Sequence, residues 1–328
     1  MLLNPLISAA FTTNTWNRLE SAYICFKKFE MSINTKFTWP LDTSVILKFC
    51  KWAALEKNLK ATTVKTYVCA IATLHKIQNL PDTFSNSYLL KLAIKGAQNL
   101  ELYSSKSSHN RMAVTLPLLK IIGSKIAQTN WSSLNKQVFW SACCLAFFGS
   151  FRMGELLSKF ENKFDSATTL LWSDIKIKQD CCIVHIKSPK SGNPNGEYVD
   201  IFGFANHNCC PLKSMMMLNS MSKVYRKEGM PVPVFTFDSG KHLTKEKLNS
   251  TLRILLKDHI GPVRNNISGH SFRAGIPSTL AKFPNLISDT LIMGWGRWSS
   301  NAYLSYTKLK LEQKRCIFKK ISDILNKH

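Results

Sequence analysis

The chain has 328 residues, enough for two ordinary domains or one large one. Hydrophobic residues make up 45%, which supports buried cores and argues against a disordered chain, and 44 Lys+Arg against 20 Asp+Glu leave a formal charge of +24. That excess concerns partners, not fold: it attracts polyanions, with nucleic acid as the default and a membrane surface as the competitor.

The membrane reading is weak. The longest apolar run, VFWSACCLAFFGSF from Val138 to Phe151, is shorter than a span and has polar interruptions. It reads as a buried helix. The opening MLLNPLISAAF lacks the charged n-region of a secretory signal, so export is not expected.

The first third reads as helices. TWNRLESAYICFKKFE carries Trp16, Leu19, Tyr23, Phe26 and Phe29 at helical spacing. After TWPLD, Asp42 is placed to cap a second helix marked by Val45, Phe49, Trp52 and Leu55. ATTVKTYVCAIATLHKIQNLP is a third, with Val64, Tyr67, Val68, Ile71 and Leu74 on one face. Its Thr62, Thr63, Lys65 and Thr66 lie at the start or off that face, where hydroxyls, amides and a lysine suit a phosphate. An ordinary solvated helix face explains any one of them equally well. SYLLKLAIKGAQNLE gives a fourth helix.

LYSSKSSHNRM follows, polar and basic without an apolar period, and is the best linker candidate. It places a domain boundary near Ser108, dividing a helical N-terminal domain, 1–107, from a second domain, 108–328. The second part starts helical with LPLLKIIGSKI and NKQVFWSACCLAFFGSF. Then TLLWSDIKI, CCIVHIKSPKSG and EYVDIFGF alternate and are rich in Ile, Val, Thr and aromatics, which predicts a small antiparallel sheet. KSPKSGNPNGE between two of those strands reads as an extended hairpin tip carrying Lys187 and Lys190. Helical patterns return to the end, so the class is mostly α with a small antiparallel β-sheet.

Six of the 10 cysteines form adjacent pairs, and several sit in apolar segments where cysteine behaves as a small hydrophobe. CCIVH (Cys181 to His185) and HNCC (His207 to Cys210) raise the question of zinc. Their spacing fits no usual finger pattern, and plain strand and loop is the preferred reading.

Three stretches of the second part bear on chemistry. In GSFRMGELL, Arg152 follows a buried-looking helix and Glu155 stands three residues on, a spacing that a structural Arg–Glu pair also explains. In SGHSFRAG, His270 and Arg273 share a helical face, and Gly269 and Gly275 permit close backbone approach. GRWSSNAYLSYTK supplies Arg297, Trp298, Tyr303 and Tyr306.

In this order, an arginine, a hairpin lysine, His-x-x-Arg, a tryptophan and a tyrosine, the set resembles the tyrosine recombinase superfamily of the phage-integrase type. GSFRMGELL is similar to its first arginine motif, GHSFRAG to its His-x-x-Arg box and MGWGRWSSNAYLSYTK to its terminal block. The wording is closest to the crypton and DIRS-like recombinases of eukaryotic mobile elements. KATTVKTYVCAIATLHK is similar to the core-binding helix that grips DNA, so the resemblance covers nearly the whole chain.

The resemblance implies a two-domain, C-shaped enzyme with a helical core-binding domain and a mixed α/β catalytic domain. It would break and rejoin double-stranded DNA through a 3′-phosphotyrosine, for integration or excision of a mobile element. Arg152 and Arg273 would clamp the non-bridging phosphate oxygens. Tyr306 would be the nucleophile, with Tyr303 as core. Lys190, preferred over Lys187, would protonate the leaving oxygen, and Lys187 would contact DNA. His270 would move protons around the tyrosine, a role worth ~10²–10⁴-fold in comparable enzymes. Glu155 would brace the arginines. Nine residues before Tyr306, where the family places His or Trp, stands Arg297, with Trp298 beside it. Trp298 is favoured because its indole N–H can donate to a phosphate oxygen, while Arg297 could act by charge. No metal or cofactor is implied.

In the tail, Ile317, Ile321, Ile324 and Leu325 share a helical face. It either packs on its own domain or, as the resemblance implies, docks on a neighbouring protomer, in a dimer on one site and a tetramer on synapsed sites. A nuclear location follows only from the substrate. Two other functions stay open: a DNA-binding descendant that no longer cuts, and a type IB topoisomerase-like enzyme.

Overall fold

The structure is a computed structural model that describes residues 5–103, 112–189, 193, 195–203, 208–226, 229–261, 266–280 and 288–298. Lys190, Tyr303, Tyr306, the tail helix, His207 and the linker residues 104–111 lie outside the described residues. The chain divides into two compact units, Met1–Ser108 and His109–His328. Among the described residues, no helix is long and apolar enough to cross a membrane.

The first unit is helical: α1 (Pro5–Ala9), α2 (Thr13–Ser32), α3 (Thr43–Lys51), α4 (Ala61–Ile77) and α5 (Tyr88–Tyr103). Its core gathers Phe26 and Phe29 of α2, Phe49 of α3 and Val64, Val68 and Ile71 of α4. Asp42 caps α3 by accepting from the Val45 N–H at 2.8 Å. Two expected core residues turn outward: Tyr23 and Leu55 are exposed. Leu55 has a clear cause. After Lys51 the helix widens into a π turn, Trp52–Glu56, which shifts the phase of the apolar spacing and carries Leu55 off the buried face.

The second unit begins with α6 (Leu116–Ala127), α7 (Ser133–Phe148) and the single turn α8 (Met153–Leu156). The apolar run does form a buried helix: Val138, Phe139, Ala142, Cys143 and Phe147 of α7 lie at the centre of the core. A three-stranded antiparallel sheet follows in the order β1 (Ile175–Ile177), β2 (Cys181–Ile186), β3 (Glu197–Phe202). Val184 lies opposite Ile175 on one side and Val199 on the other, and Ile186 lies opposite Glu197 at the end of the ladder. The predicted strand TLLWSDIKI is shorter than its pattern. The Asp174 carboxylate accepts from the Leu171 N–H at 2.8 Å and holds Trp172–Asp174 in a 3₁₀ turn, so only Ile175–Ile177 enters the sheet. Helices return with α9 (Pro211–Ser222), α10 (Lys245–Leu255), α11 (Lys257–Ile260), α12 (Gly269–Arg273), α13 (Gly275–Leu280) and α14 (Asp289–Gly296).

The paired cysteines are core. Burial pushes the Cys182 thiol up to about 12 and raises Cys143 and Cys144 as well, so they stay protonated. The His185 ring stacks on Tyr198 at 4.3 Å. Among the described residues, no group of three or more His, Cys, Asp or Glu is placed to hold a metal ion.

Candidate active site

Two helix ends build the site. At the end of α7, the Phe151 N–H donates to the Ala146 carbonyl at 3.2 Å and the Ser150 N–H to the Phe147 carbonyl at 3.3 Å. This is a Schellman turn, whose left-handed position usually falls to glycine; here Ser150 occupies it at φ 46°. The turn reverses the chain, so that Arg152 caps α8. At the end of α14 the same pattern recurs, with Trp298 N–H to Met293 carbonyl and Arg297 N–H to Gly294 carbonyl, both at 3.1 Å. Arg297 takes the left-handed position there, at φ 53° and ψ 49°.

Arg273 joins the two turns. Its Nη1 donates to the Ser150 carbonyl at 2.6 Å and its Nη2 to the Gly296 carbonyl at 2.7 Å, and the residue is only 3% exposed. A cation at two helix C-termini is where the peptide dipoles favour positive charge. The Trp298 ring lies across this guanidinium, 5.0 Å from Cζ to ring centroid. Gly296 is needed beneath the indole, because a Cβ there would overlap the Trp298 ring.

Glu155 joins Arg152 to Arg297. It accepts from the Arg152 backbone N–H at 2.8 Å, from Arg152 Nη1 at 2.7 Å and from Arg297 Nη2 at 3.0 Å. Its side chain is 5% exposed against 30% for Arg152. Burial works to raise its pKa, but Arg297 and the Arg152 hydrogen bonds outweigh that and hold the carboxyl below its usual range. Arg297 also donates through Nη1 to Glu197 of β3 at 3.4 Å, and its guanidinium lies 4.9 Å from the Phe151 ring centroid.

His270 stands on α12 with Arg273 and is exposed. α12 is docked by Gly269: its N–H donates to Asn249 Oδ1 of α10 at 2.9 Å, and a Cβ on it would overlap Met153, the residue next to Arg152. The structure therefore brings together Arg152, Glu155, Arg273, Arg297 and Trp298 from three stretches of sequence, with His270 on the same helix as Arg273. It does not bring in Lys187, whose Nζ pairs with Asp174 at 2.7 Å beside the sheet. In the other unit, Thr62 and Lys65 are exposed and Thr63 half-buried at the start of α4. There the Ala61 N–H donates to Glu101 at 3.0 Å, so a carboxylate already meets that helix end.

Three participants escaped sequence reasoning: the Ser150 and Gly296 carbonyls, and Glu197. Backbone acceptors leave no signature in side-chain identities, and Glu197 reads as one more charged residue at a strand start.

The arrangement can do one thing well. Guanidiniums fixed by carboxylate and carbonyl partners, with an indole against one of them, form a rigid cationic site suited to a tetrahedral oxyanion.

No protein-family model matches the sequence, and no curated protein matches it. Solved structures do. The Tn1549 transposon integrase in complex with transposon right end DNA is 12% identical, over 95% of this chain and 95% of that one, with a TM-score of 0.63. XerH site-specific recombinase bound to palindromic difH substrate, a post-cleavage complex, is 14% identical over 94% of this chain and 79% of that one, with a TM-score of 0.62. This chain has the tyrosine recombinase fold.

Proposed function

We propose that the protein is a site-specific DNA recombinase that breaks and rejoins strands through a 3′-phosphotyrosine on Tyr306. The observation that carries this reading is the convergence of Arg152, Arg273, Arg297 and Trp298 around two helix-end turns, in a fold shared with proteins solved on DNA. The charge of +24 fits the substrate.

A phosphodiester resists attack because its charge repels nucleophiles and its alkoxide leaves poorly. Arg152 and Arg273 bind the non-bridging oxygens and stabilise the charge that grows in the transition state. The Tyr306 oxygen forms the new bond to phosphorus as its proton passes toward His270, and the 5′ oxygen departs with a proton from Lys190. The phosphotyrosine conserves the bond energy, so a free 5′-hydroxyl of another strand can reverse the step. Trp298 takes the sixth catalytic position in this reading, because Arg297 is engaged by Glu155 and Glu197.

The biological setting is integration or excision of a mobile element of the crypton or DIRS-like kind, in the nucleus. The tail helix with Ile317 and Ile321 joins protomers into a dimer on one site and a tetramer on synapsed sites. Thr62, Thr63 and Lys65 at the start of α4 contact the DNA backbone, and Lys187 does so only on leaving Asp174.

The test uses a nicked suicide duplex built from the element's own ends, with the unsubstituted protein and Tyr306→Phe. A protein–DNA band that survives denaturing electrophoresis, and is lost in the variant, supports the reading. A band kept in Tyr306→Phe moves the nucleophile to Tyr303. No band on DNA that the protein binds gives the lead to a non-catalytic DNA-binding protein, and joints between two duplexes separate a recombinase from a topoisomerase.

A further inference from the structure

The chain between α8 and β1 carries a feature that the arginine cluster does not use. Residues 158–164, SKFENKF, leave α8 almost directly and lie along the start of α10, where Ser158 forms a parallel bridge with Thr244. The Glu161 carbonyl accepts from the His242 N–H at 2.8 Å, and the Phe164 ring meets the His242 ring edge-on at 5.3 Å. Just beyond, the Asp165 carboxylate accepts from the Ala167 N–H and the Thr168 hydroxyl, both at 3.0 Å. α10 is tied in turn to α12 by the bond from Gly269 to Asn249. The segment is thus held at both ends, and the aromatic that holds it is Phe164.

Phe160 has no part in that anchoring. It is 45% exposed, with the Lys163 ammonium 4.6 Å and the Lys159 ammonium 5.3 Å from its ring centroid. Glu161 turns its carboxylate to Lys241 at 3.7 Å, and among the described residues neither Lys159 nor Lys163 forms an ion pair. Lys241, Lys245 and Lys247 are exposed on the adjoining stretch of chain. An open aromatic beside two unneutralised ammoniums matches the two halves of a nucleotide, a flat base and a phosphate. Lys159 is four residues beyond Glu155, so backbone reach keeps it within about 15 Å of that residue, roughly four base-pair rises.

We infer that Lys159, Phe160 and Lys163 form a second DNA-contact surface, in which Phe160 stacks on an unpaired base near the break and the two lysines take the phosphates beside it. This rests on the recombinase reading and deepens it. Joining a cleaved end to another strand requires bases next to the break to leave their partners. A base so released loses its stacking neighbours, and a protein ring offsets that loss whatever the base, because every base has a π-face. A fully paired base offers no free face, so Phe160 serves the opened duplex and not the closed one.

Affinity of the full chain is measured by fluorescence anisotropy over a series of salt concentrations, on a fully paired duplex and on the same duplex with a short unpaired bubble. A 2-aminopurine in the bubble reports stacking by losing its fluorescence. Phe160→Ala should weaken binding to the bubble duplex roughly 5- to 100-fold, the usual worth of one stacked base, and leave the 2-aminopurine bright. Binding to the paired duplex and the salt slope should not change. Lys159→Ala combined with Lys163→Ala should lower the salt slope by roughly 1 to 2. Phe160→Trp keeps an aromatic face and should bind the bubble as the unsubstituted protein does, which separates lost stacking from a segment that has come apart. An equal loss on both duplexes in Phe160→Ala overturns the inference, as does no loss on either, or a Phe160→Trp as weak as Phe160→Ala. If the unsubstituted protein binds neither duplex, the recombinase reading itself falls and takes this inference with it.

Discussion

The Arg273 guanidinium donates to the Ser150 carbonyl at 2.6 Å, across 123 residues of chain. With its second bond, to the Gly296 carbonyl, it staples the C-terminal turns of α7 and α14. The same side chain thus holds the site together and, in the proposed reaction, stabilises its charge.

Arg273→Lys keeps a charge but cannot reach both carbonyls in one plane. Covalent complex formation should fall about 10²–10³-fold, the usual loss for one oxyanion donor, while DNA affinity in a filter-binding assay changes little. A loss of affinity as large as the loss of rate would place Arg273 in ground-state binding instead.

Ser150 sits at φ 46°, and its buried hydroxyl has no hydrogen-bond partner among the described residues. A left-handed conformation costs an L-residue roughly 1–2 kcal/mol that glycine avoids, partly offset by glycine's greater freedom when unfolded. Ser150→Gly should therefore stabilise the protein by about 1 kcal/mol, read as a rise of about 2–4 °C in the melting temperature. A fall would mean that the hydroxyl contributes something the geometry does not reveal.

Gly269 lets α12 lie against Met153. Gly269→Ala should cost about 1–3 kcal/mol by overpacking. Shortening Met153 to alanine in the same chain should recover part of that loss, giving a favourable coupling above ~0.5 kcal/mol in a double-mutant cycle. Strict additivity of the two substitutions would deny the contact.

Glu155 titrates below the usual carboxylate range because Arg297 and Arg152 outweigh its burial. A depressed folded pKa contributes stability that is present above the unfolded value, about 4.3, and is lost as pH falls through the folded one. The stability gap between the unsubstituted protein and Glu155→Gln should be full at neutral pH and shrink below about pH 4.3. Urea unfolding at a series of acidic pH values reads it, and a gap that widens on acidification contradicts the sign.

DNA binding should weaken steeply with salt, since each neutralised phosphate adds roughly −0.9 to the slope of log affinity against log salt. Lys65→Ala should reduce that slope by about 1 if Lys65 meets a phosphate. An unchanged slope would leave Lys65 as a solvated residue on α4.

The sequence by itself determined the elements and the short-range pairs. The apolar spacings of α2, α4 and α7, the Asp42 cap and the small alternating sheet all follow from periodicities of 3.6 and 2, which are local properties of a chain. Arg152 with Glu155, and His270 with Arg273, are three residues apart, so helical geometry alone makes each pair neighbours. Local exceptions were not legible. No period announces the π turn after Lys51 or the 3₁₀ turn at Trp172, and the Schellman turns carry Ser150 and Arg297 where glycine would have signalled them. Only the tertiary structure decided what Arg297 does. Its partners, Glu155 and Glu197, lie 142 and 100 residues away, and an ion pair across such separations is fixed by how helices and strands pack, not by spacing along the chain.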